Sequence, residues 1–398
     1  MFEKLFTART FGVKIFAVLM VLMGGAFHGC AALAADINAP AIAAPETAAK
    51  QAYIVDFDTG TVLYDKNGNE RMPTSSMSKV LTTIVADDAI RSGKIRRDQM
   101  FPVSENAWKS GGSRMFLDLN SSVSVDNLLR GIIIQSGNDA CIVMAEGIAG
   151  SEANFVVMMN DKAKEIGMKD SHFMNSNGWP DPNHYSTAHD LAMLGTYLIR
   201  NYPQEYKMYS EKEFFYNNIK QGNRNPLLYK NIGADGIKTG HTDDGGYGLM
   251  GSAVAGNRRV VLVINGTNSM QARADESAKL MDWALKSFKN VHAVLKDQAV
   301  ADVPVVMSET RKLALKTDRS VFLTLPTFAG DEIKGTITYN SPIVAPVKIG
   351  DPLGVLKLDL PGGRSEEVNL VAAEDVPQSG FFKRVFERFM ILLVGAPE

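Results

Sequence analysis

The sequence predicts an α/β (α+β) domain with an antiparallel sheet and a helical lobe, followed by a small all-β domain and a C-terminal amphipathic helix. Apolar residues recur at helical spacing through residues 120–200, and after Lys238 the pattern changes to period two or to short apolar runs. From about Asn290 the helical pattern disappears, and it returns only between Gly380 and Val394. The length of 398 residues also exceeds the roughly 100–200 residues of a single domain.

The first domain is predicted to span residues 51–290. It begins with a β-hairpin at residues 52–64, after which Thr74-Ser75-Ser76 caps a helix. Three further helices form the helical lobe, and a later hairpin lies beside the strand that contains Lys238. The predicted elements are helices at Val125–Arg130, Ile142–Ile148 and Phe155–Ile166, strands at Gly245–Ala255 and Arg259–Ile264, and a helix at Ala274–Phe288.

The second domain is predicted to span residues 291–376. Its β-like stretches are separated by Gly, Pro and Asp, and none of them carries a catalytic motif. The stretches are Ala299–Met307, Arg319–Leu325, Glu332–Tyr339, Ile343–Leu360 and Glu366–Ala373. The pattern therefore indicates a small all-β domain.

The C-terminal segment, residues 380–394, has the pattern of an amphipathic helix. One face carries Phe382, Val385, Phe386, Phe389 and Leu393, and the other carries Lys383, Arg384, Glu387 and Arg388. Such a helix suits the surface of a bilayer and is shorter than the roughly 20 residues that span one. The alternative is a helix docked on its own domain.

Residues 1–34 have the pattern of a secretory signal peptide. Basic residues precede the apolar run Ile15–Phe27, and Ala32-Leu33-Ala34 supplies small residues for a cut after Ala34. The apolar run is shorter than a membrane span requires, which disfavours an uncleaved anchor. A lipoprotein cut before Cys30 is also disfavoured, because Phe27-His28-Gly29 fits a lipobox poorly. The Ala- and Pro-rich residues 35–50 are predicted to be a disordered leader.

Composition and spacing limit the other functions. A net charge of −2 gives no reason to expect nucleic-acid binding. His184 and His189 are five residues apart, in no metal-binding pattern, so we expect neither a metal nor a cofactor. After signal cleavage Cys141 is the single thiol, which is a small buried hydrophobe or, alternatively, a second nucleophile.

Three short motifs follow one another along the chain: Ser76-Met77-Ser78-Lys79, Ser136-Gly137-Asn138 and Lys238-Thr239-Gly240. Together they supply a serine nucleophile, an amine to take its proton, a second hydroxyl, an amide and a strand-edge cation, as acyl transfer requires. Ser104-Glu105-Asn106 and Lys109-Ser110-Gly111 resemble the second and third motifs, but they lie too close to Ser76 to occupy separate elements.

Ser76 is expected at a helix N-terminus, where the helix dipole favours developing negative charge. Lys79 lies three residues further on, on the same helical face, and is the candidate general base. It can act so if burial and the neighbouring cation Lys238 depress its pKa. The alternative is that Lys79 stays charged and only orients Ser76.

These residues resemble the serine-type D-alanyl-D-alanine carboxypeptidases among the low-molecular-mass penicillin-binding proteins, and within them the group of penicillin-binding proteins five and six. The likeness extends to Arg130–Cys141, Asp235–Thr242, Gly112–Leu117 and Asn223–Asn225, and so to roughly the whole mature chain. The resemblance implies a serine β-lactamase/DD-peptidase-like fold. It also implies a periplasmic enzyme that is anchored to the outer face of the inner membrane by its C-terminal helix.

The substrates expected from the resemblance are peptidoglycan stem peptides ending in D-Ala-D-Ala, together with β-lactam antibiotics, which would acylate Ser76. Ser136 would relay a proton to the leaving nitrogen, and Asn138 would bind the peptide carbonyl before the cut. The expected substrate-binding residues include Lys238 and Thr239, which would hold the terminal carboxylate, and Gly240 of the same motif. The resemblance adds the backbone N–H groups of Ser76 and His241 as the oxyanion hole, and Arg224 as an indirect positioner of the carboxylate.

Three alternatives remain open from the sequence. A DD-endopeptidase would have to accept a cross-linked chain that lacks the terminal carboxylate. A class A β-lactamase would add a Glu in E-x-x-L-N for deacylation, whereas residues 178–190 offer only Asp190, which is expected to cap or tether that loop. A non-enzymatic protein would bind peptidoglycan and maintain cell shape without turnover.

Overall fold

A computed structural model describes residues 6–13, 42–329, 333–360 and 365–394, with the backbone alone for residues 6–13. It divides into two compact units. One is Ala44–Ser287, and the other comprises the residues from Phe288 onward together with the N-terminal segment. The division falls close to the predicted boundary at residue 290.

The first unit contains seven helices and nine strands among its described residues. The helices are α1 (Lys79–Arg91), α2 (Glu105–Trp108), α3 (Val125–Arg130), α4 (Asn138–Ala149), α5 (Glu152–Ile166), α6 (Ala188–Asn201) and α7 (Met270–Ser287). With Phe6–Val13 as β1, the strands are β2 (Gln51–Asp56), β3 (Val62–Lys66), β4 (Met100–Pro102), β5 (Ser122–Ser124), β6 (Glu213–Tyr216), β7 (Ile219–Gly222), β8 (Ala234–Thr242), β9 (Gly246–Ala255) and β10 (Arg258–Thr267).

A five-stranded antiparallel sheet forms the centre of this unit, in the order β3-β2-β10-β9-β8. Alternate residues of β10 point to its two faces. Val261 and Val263 join the core shared with the helical lobe, whereas Leu262 joins a separate core that includes Leu280 of α7. The sheet is therefore covered on both faces, and the mixed fold class predicted from the sequence is confirmed. Strand β8, with the Lys238 motif, lies at the edge of the sheet.

The last part of the predicted leader is held on this unit. Ala49 is fully buried in the core beside α7. The backbone carbonyl of Thr47 accepts from Lys66 Nζ at 2.8 Å, and that of Glu46 accepts from Lys279 Nζ at 2.8 Å. The prediction of disorder up to residue 50 is therefore wrong for residues 44–50. Two lysines from elsewhere in the chain bind backbone carbonyls of this segment, and its composition gave no sign of these contacts. Residues 35–41 lie outside the described part.

The second unit is built from β-strands. Besides β1, they are β11 (Phe288–Val294), β12 (Ala299–Val306), β13 (Lys312–Thr317), β14 (Val321–Pro326), β15 (Ile333–Asn340), β16 (Ile343–Val344), β17 (Pro352–Asp359) and β18 (Ser365–Ala372), and helix α8 (Phe381–Val394) follows. Seven strands form one sheet in the order β1-β15-β17-β18-β13-β12-β16, and β11 pairs with β14. The all-β character predicted from the sequence is confirmed.

Besides β1, two strands of this unit were not predicted, and one predicted stretch is divided. Strand β11 has polar residues on both faces, so its sequence shows neither the period of two of a strand nor the helical period of 3.6. Strand β13 is only six residues long, although Leu313 and Leu315 alternate inward between lysines. The stretch Ile343–Leu360 forms β16 and β17, with Pro346 between them.

Strand β1 lies within the predicted signal peptide and pairs antiparallel with β15. The apolar run Ile15–Phe27 and the expected cut after Ala34 lie outside the described residues. Cleavage there would remove β1 and leave β15 at the edge of the sheet.

Helix α8 agrees with the predicted C-terminal helix. Its polar side is bound to its own unit: Glu387 Oε2 accepts from the backbone N–H of Met307 at 2.5 Å, and Lys383 pairs with Glu309 at 2.8 Å. Its aromatic residues are exposed, with Phe382 at 86% and Phe386 at 64%. Over the described ranges, no single helix has the length and apolar character needed to cross a membrane, although α4 and α5, bent by 88°, meet that criterion as a pair.

Candidate active site

Ser76 lies in a short 3₁₀ turn, Ser75–Ser78, and α1 begins immediately afterwards at Lys79. The sequence predicted Ser76 at the first turn of the helix, and the structure places this tighter turn in front of it. Lys79 Nζ donates to Ser76 Oγ at 2.8 Å, to Asn138 Oδ1 at 2.8 Å and to the backbone carbonyl of Asn177. The predicted nucleophile and base are therefore in direct contact.

Burial makes the Lys79 ammonium lose its proton more readily than an exposed lysine does. Its side chain is fully buried, and this burial lowers the pKa to about 8, with the positive charge of Arg224 lowering it further against opposing effects of Cys141 and Asp139. At neutral pH roughly one molecule in ten then carries the neutral amine. Lys238 was expected to lower the pKa of Lys79, but the repulsion between the two lysines instead affects Lys238. Burial, and then repulsion from Lys79, holds the pKa of Lys238 well below its usual value.

The second motif is positioned by an abrupt change of helix geometry. Helix α3 widens into a π-turn at Gly131–Gln135, Ser136 takes a left-handed conformation with φ of 67°, and α4 begins at Asn138. Asn138 Nδ2 donates to the carbonyl of Gly111 at 2.8 Å, so both ends of this amide are fixed. Ser136 is buried, but within the described structure its hydroxyl forms no hydrogen bond with Lys79 or Ser76.

Asp139 supports this motif and was not identified from the sequence. Its carboxylate accepts from the backbone N–H groups of Met115 at 2.9 Å, Leu117 at 3.2 Å and Ala140 at 2.9 Å. These bonds hold the segment after Gly111 against the start of α4. Arg224 Nη1 donates to Ser113 Oγ in the same segment at 2.5 Å, which supports its predicted indirect role. A single Asp after the motif carried no sequence signal of its own.

The third motif lies on the edge strand β8. Lys238 and Thr239 are buried, and Lys238 Nζ donates to the carbonyl of Thr239 at 3.2 Å. A β-carbon at Gly240 would lie 3.0 Å from the carbonyl oxygen of Thr74 and 3.1 Å from Cβ of Ser75. Glycine therefore allows β8 to lie against the turn that carries the nucleophile.

His241 follows Gly240 at the open side of the strand. Its ring is exposed and lies 3.9 Å from the ring of Tyr247, its partner in register on β9. One residue further on, the hydroxyl of Thr242 bonds that of Ser75 at 3.0 Å. The strand therefore contacts the turn on both sides of His241, at Gly240 and at Thr242.

A loop between α5 and α6 completes the pocket, and the sequence did not identify its contribution. Besides the Asn177 carbonyl, Gly178 lies so close to the turn that a β-carbon there would overlap the carbonyl oxygen of Ser75, and its φ is +78°. Asp190 Oδ2 accepts from the backbone N–H of Asp170 at 2.9 Å and from Ser171 Oγ at 2.8 Å, so its predicted tethering role is confirmed. In the sequence, Asn177-Gly178 indicated a turn but gave no indication of a role in the active site.

A buried arginine on α7 is a further candidate that the sequence missed. Arg273 has 6% of its surface exposed, and burial lowers its pKa to about 10. Its charge contributes to the lowered pKa of Lys238, and its Nε has no hydrogen-bond partner among the described residues. A second guanidinium is therefore available on the side of the site where an anionic group would bind.

His184 ties the loop to the turn in its neutral form. Its Nδ1 accepts from the backbone N–H of Met174 at 3.2 Å, which leaves Nε2–H to donate to Ser78 Oγ at 2.8 Å. Burial lowers its pKa to about 4. Over the described ranges, no group of three or more His, Cys, Asp or Glu side chains is arranged to hold a metal ion.

Cys141 is fully buried, and burial raises the pKa of its thiol to about 12. The thiolate needed for nucleophilic attack is then scarce at neutral pH, which favours the interpretation as a small hydrophobe.

We therefore expect Cys141→Ala to change the rate of penicillin acylation by less than about twofold and to lower the free energy of unfolding by about 1 kcal/mol through the small cavity it leaves. Acylation kinetics and urea unfolding measure the two effects. A loss of acylation in a variant that remains folded would contradict this assignment.

Comparison with protein families gives a match for each of the two predicted domains. Residues 38–269 match the family described as D-alanyl-D-alanine carboxypeptidase, and residues 288–378 match the C-terminal domain of penicillin-binding protein 5. The chain belongs to the D-alanyl-D-alanine carboxypeptidase family. As a member of that family it is a serine peptidase and a low-molecular-mass penicillin-binding protein.

Individual relatives agree with this assignment. This carboxypeptidase-family chain is 34% identical over 372 residues to D-alanyl-D-alanine carboxypeptidase DacA of Escherichia coli K12, covering 91% of this chain and 92% of that one. Penicillin-binding protein 5 of Haemophilus influenzae superposes with a TM-score of 0.76 at 35% identity, covering 85% and 100% of the two chains. Penicillin-binding protein D2 of Listeria monocytogenes, solved in its ampicillin-bound form, gives 0.56 at 26% identity, covering 60% and 97%.

Proposed function

We propose that this protein is a serine D-alanyl-D-alanine carboxypeptidase that removes the terminal D-alanine from peptidoglycan stem pentapeptides through an acyl-enzyme on Ser76. The observation that carries the proposal is the buried amine of Lys79, which contacts both Ser76 Oγ and Asn138 Oδ1. A buried lysine with a lowered pKa beside a serine hydroxyl provides the base that the hydroxyl lacks.

In the proposed acylation, neutral Lys79 takes the Ser76 proton while Ser76 Oγ attacks the carbonyl carbon of the penultimate D-alanine. The oxyanion is stabilised by the backbone N–H groups of Ser76 and His241, as the family resemblance implies. The carbon–nitrogen bond then breaks, and the departing nitrogen receives a proton through Ser136. Water hydrolyses the resulting ester and restores Ser76.

The terminal carboxylate explains the preference for removing a single residue. Lys238 and Thr239 lie at the edge of the sheet, with Arg224 held nearby through Ser113, and a carboxylate would restore the charge that burial disfavours on Lys238. A cross-linked peptide lacks this carboxylate, which disfavours an endopeptidase. The carboxylate of a β-lactam would occupy the same place, and Ser76 would then be acylated by the drug.

Slow turnover of β-lactams is also part of the proposal. In the region that would carry a deacylating carboxylate, the available one is Asp190, in the first turn of α6. Its Oδ2 accepts from the backbone N–H of Asp170 and from Ser171 Oγ, and its Oδ1 contacts His189 Nδ1 at 3.1 Å. It is therefore committed to holding the loop, and this disfavours the β-lactamase alternative.

Product analysis by mass spectrometry tests the function. Wild-type protein and Ser76→Ala are incubated with a disaccharide pentapeptide and with its cross-linked dimer. We expect wild type to remove one D-alanine from the pentapeptide and Ser76→Ala to be slower by about 10⁴-fold or more. Cleavage of the dimer alone would indicate an endopeptidase, and cleavage of neither by protein that penicillin still labels would favour the non-enzymatic, peptidoglycan-binding alternative.

The pH dependence of acylation distinguishes the two roles of Lys79. If the neutral amine is the base, protonation inactivates it, so the rate is expected to rise about tenfold per pH unit below the pKa of about 8 and to level off above it. The second-order rate of acylation by a penicillin, measured between about pH 5 and pH 9, reports this. A flat profile below pH 7 would show that Lys79 acts as a charged, orienting group.

We further propose that the protein is exported, loses its signal peptide after Ala34 and binds the outer face of the inner membrane through α8. Support comes from the exposed aromatic face of α8, whose opposite face is bound to its own unit through Lys383 and Glu387. Flotation with phosphatidylethanolamine–phosphatidylglycerol vesicles tests the second point: Phe386→Glu should release the protein, whereas Phe322→Glu, on an exposed strand position, should not. An N-terminus other than Ala35 on the envelope-bound protein would contradict the predicted cut.

A further inference from the structure

Strand β15 (Ile333–Asn340) becomes a long open edge of the second unit when β1 is removed. It has eight residues and pairs with β17 without a shift of register. Edge strands are usually kept from pairing by being short, bulged, charged or interrupted by proline, because a straight row of unpaired backbone N–H and C=O groups can bind another strand. Apart from the single charge of Lys334, β15 has none of these protections.

Two other edge strands of the protein do have such protections. Strand β16, at the opposite edge of the same sheet, has two residues and lies between Pro342 and Pro346. In the first unit, the edge strand β3 pairs with a register shift at Ile54–Val55. The remaining edge of that sheet is β8, which is assigned above to the peptide substrate. Strand β15 thus resembles the edge proposed to bind an extended peptide and differs from the two protected edges.

Strand β1 shows which backbone arrangement the β15 edge accepts. Residues Phe6–Val13 pair antiparallel with β15 at all eight positions, from the first residue opposite Asn340 to the last opposite Ile333. Residues directly opposite one another in antiparallel strands lie on the same face of the sheet. The odd-numbered positions of β1 therefore lie on the face where β15 carries its buried residues, among them Ile337 and Tyr339.

The residues of β15 define the chemistry of a strand that fits beside it. Gly335 offers no side chain to its neighbour, and an aromatic residue opposite an edge glycine can cover the exposed backbone. Strand β1 has Phe11 opposite Gly335 and Val13 opposite Ile333. The other face of β15 is polar and includes Lys334. A matching strand therefore alternates aromatic or β-branched residues, on the buried face, with polar residues.

A groove of about 560 Å³ extends from the Asn340 end of β15. Its lining is largely apolar and includes Ile343, Pro346, Leu353 and Val344, whose surface is 48% exposed. A strand that runs in the direction of β1 begins at this end, so the residues just before its first paired position would reach the groove. An apolar side chain at that place is therefore favoured in the partner.

We propose that the β15 edge of the processed protein binds an extended strand of another polypeptide, which adds antiparallel to the sheet with aromatic or β-branched residues alternating toward the core. The backbone of β15 provides the hydrogen bonds, and the alternation selects the partner. Strand β1 occupies the edge in the full chain, and removal of residues 1–34 opens it. The proposal rests on the signal cleavage proposed above and goes beyond the carboxypeptidase function.

Binding of a fluorescent peptide with the sequence of Phe6–Val13 tests the proposal. The peptide is added to the processed chain, residues 35–398, and to the full chain, and penicillin labelling verifies that both are folded. We expect at least about tenfold tighter binding to the processed chain, because β1 competes in the full chain as a tethered strand of roughly millimolar effective concentration. A scrambled peptide of the same composition is the control and should not distinguish the two chains.

Backbone methylation of the peptide separates strand addition from other contacts. Alternate N–H groups of an antiparallel strand point toward its partner. Of two peptides, N-methylated at the odd-numbered or at the even-numbered residues, we expect one to lose at least about tenfold in affinity and the other to bind within about threefold of the unmodified peptide. Hydrogen exchange should slow in Ile333–Asn340 on binding and stay unchanged in the edge strand β3.

Equal affinity of the two chains for the peptide, an equal loss for both methylated peptides, or slowed exchange outside β15 alone would overturn the proposal. A processed chain that is dimeric, and whose dimer the peptide dissociates, would assign the edge to a second copy instead. An envelope-bound protein that keeps residues 1–34 would leave the edge covered and would also overturn it. Release of D-alanine is measured separately, so a failure here is distinguishable from a failure of the carboxypeptidase function.

Discussion

Replacement of Lys79 by arginine is expected to lower the rate of Ser76 acylation by about 10³-fold, within the range that general-base catalysis contributes. Arginine keeps the positive charge and the capacity to donate to Ser76 Oγ, but it does not lose its proton at any working pH. The substitution therefore removes the base and preserves the cation. The measurement is the second-order rate of labelling by a fluorescent penicillin across the pH range.

The matched control is Lys286→Arg, at a lysine whose side chain is 75% exposed and paired with Asp282 on α7. It should leave the rate and the pH profile unchanged. A Lys79→Arg variant that is folded and is acylated within tenfold of wild type would show that the charged side chain suffices, and would contradict the role of Lys79 as base.

Gly178→Ala is expected to abolish most acylation and to lower the free energy of unfolding by about 3 kcal/mol or more. The new methyl group would overlap the carbonyl oxygen of Ser75, which is backbone and cannot move without displacing Ser76. The Asn177 carbonyl that binds Lys79 would move as well. Thermal unfolding and penicillin labelling measure the two losses.

Gly150 separates this clash from the cost of the backbone conformation alone. It ends α4 with φ of +77°, almost equal to that of Gly178, but a β-carbon there would meet nothing within 4 Å. Gly150→Ala should therefore cost only about 1–2 kcal/mol of stability and leave acylation unchanged. Equal effects of the two substitutions would show that the close approach to Ser75 has no special importance.

The candidate catalytic residues could be proposed from the sequence because their chemistry is local in sequence. Ser76 and Lys79 are three residues apart, so a single turn brings them together whatever surrounds them. The order and spacing of the three motifs then allowed separate elements to meet, and the edge position of β8 agrees with the role assigned to its lysine. Strands β9 and β10 were also visible in the sequence as short apolar runs, since both of their faces meet an apolar core.

What the sequence did not reveal depends on contacts across long stretches of chain. The third acceptor of the Lys79 amine is a backbone carbonyl 98 residues away, and any residue type provides one. Gly178 is required only because the fold brings its loop against Ser75. Arg273 and Asp139 act through burial and backbone contacts, which no local pattern encodes. The same holds for residues 44–50, whose order comes from lysines elsewhere in the chain.

The central claim is that Ser76 is the nucleophile, and peptide mapping of the penicillin-labelled protein tests it most directly. The protein is labelled, digested and analysed by tandem mass spectrometry, with Ser76→Ala treated in parallel. We predict one adduct, on Ser76, which is absent from the variant. An adduct on Ser136 or Cys141, or labelling that persists in Ser76→Ala, would contradict the account.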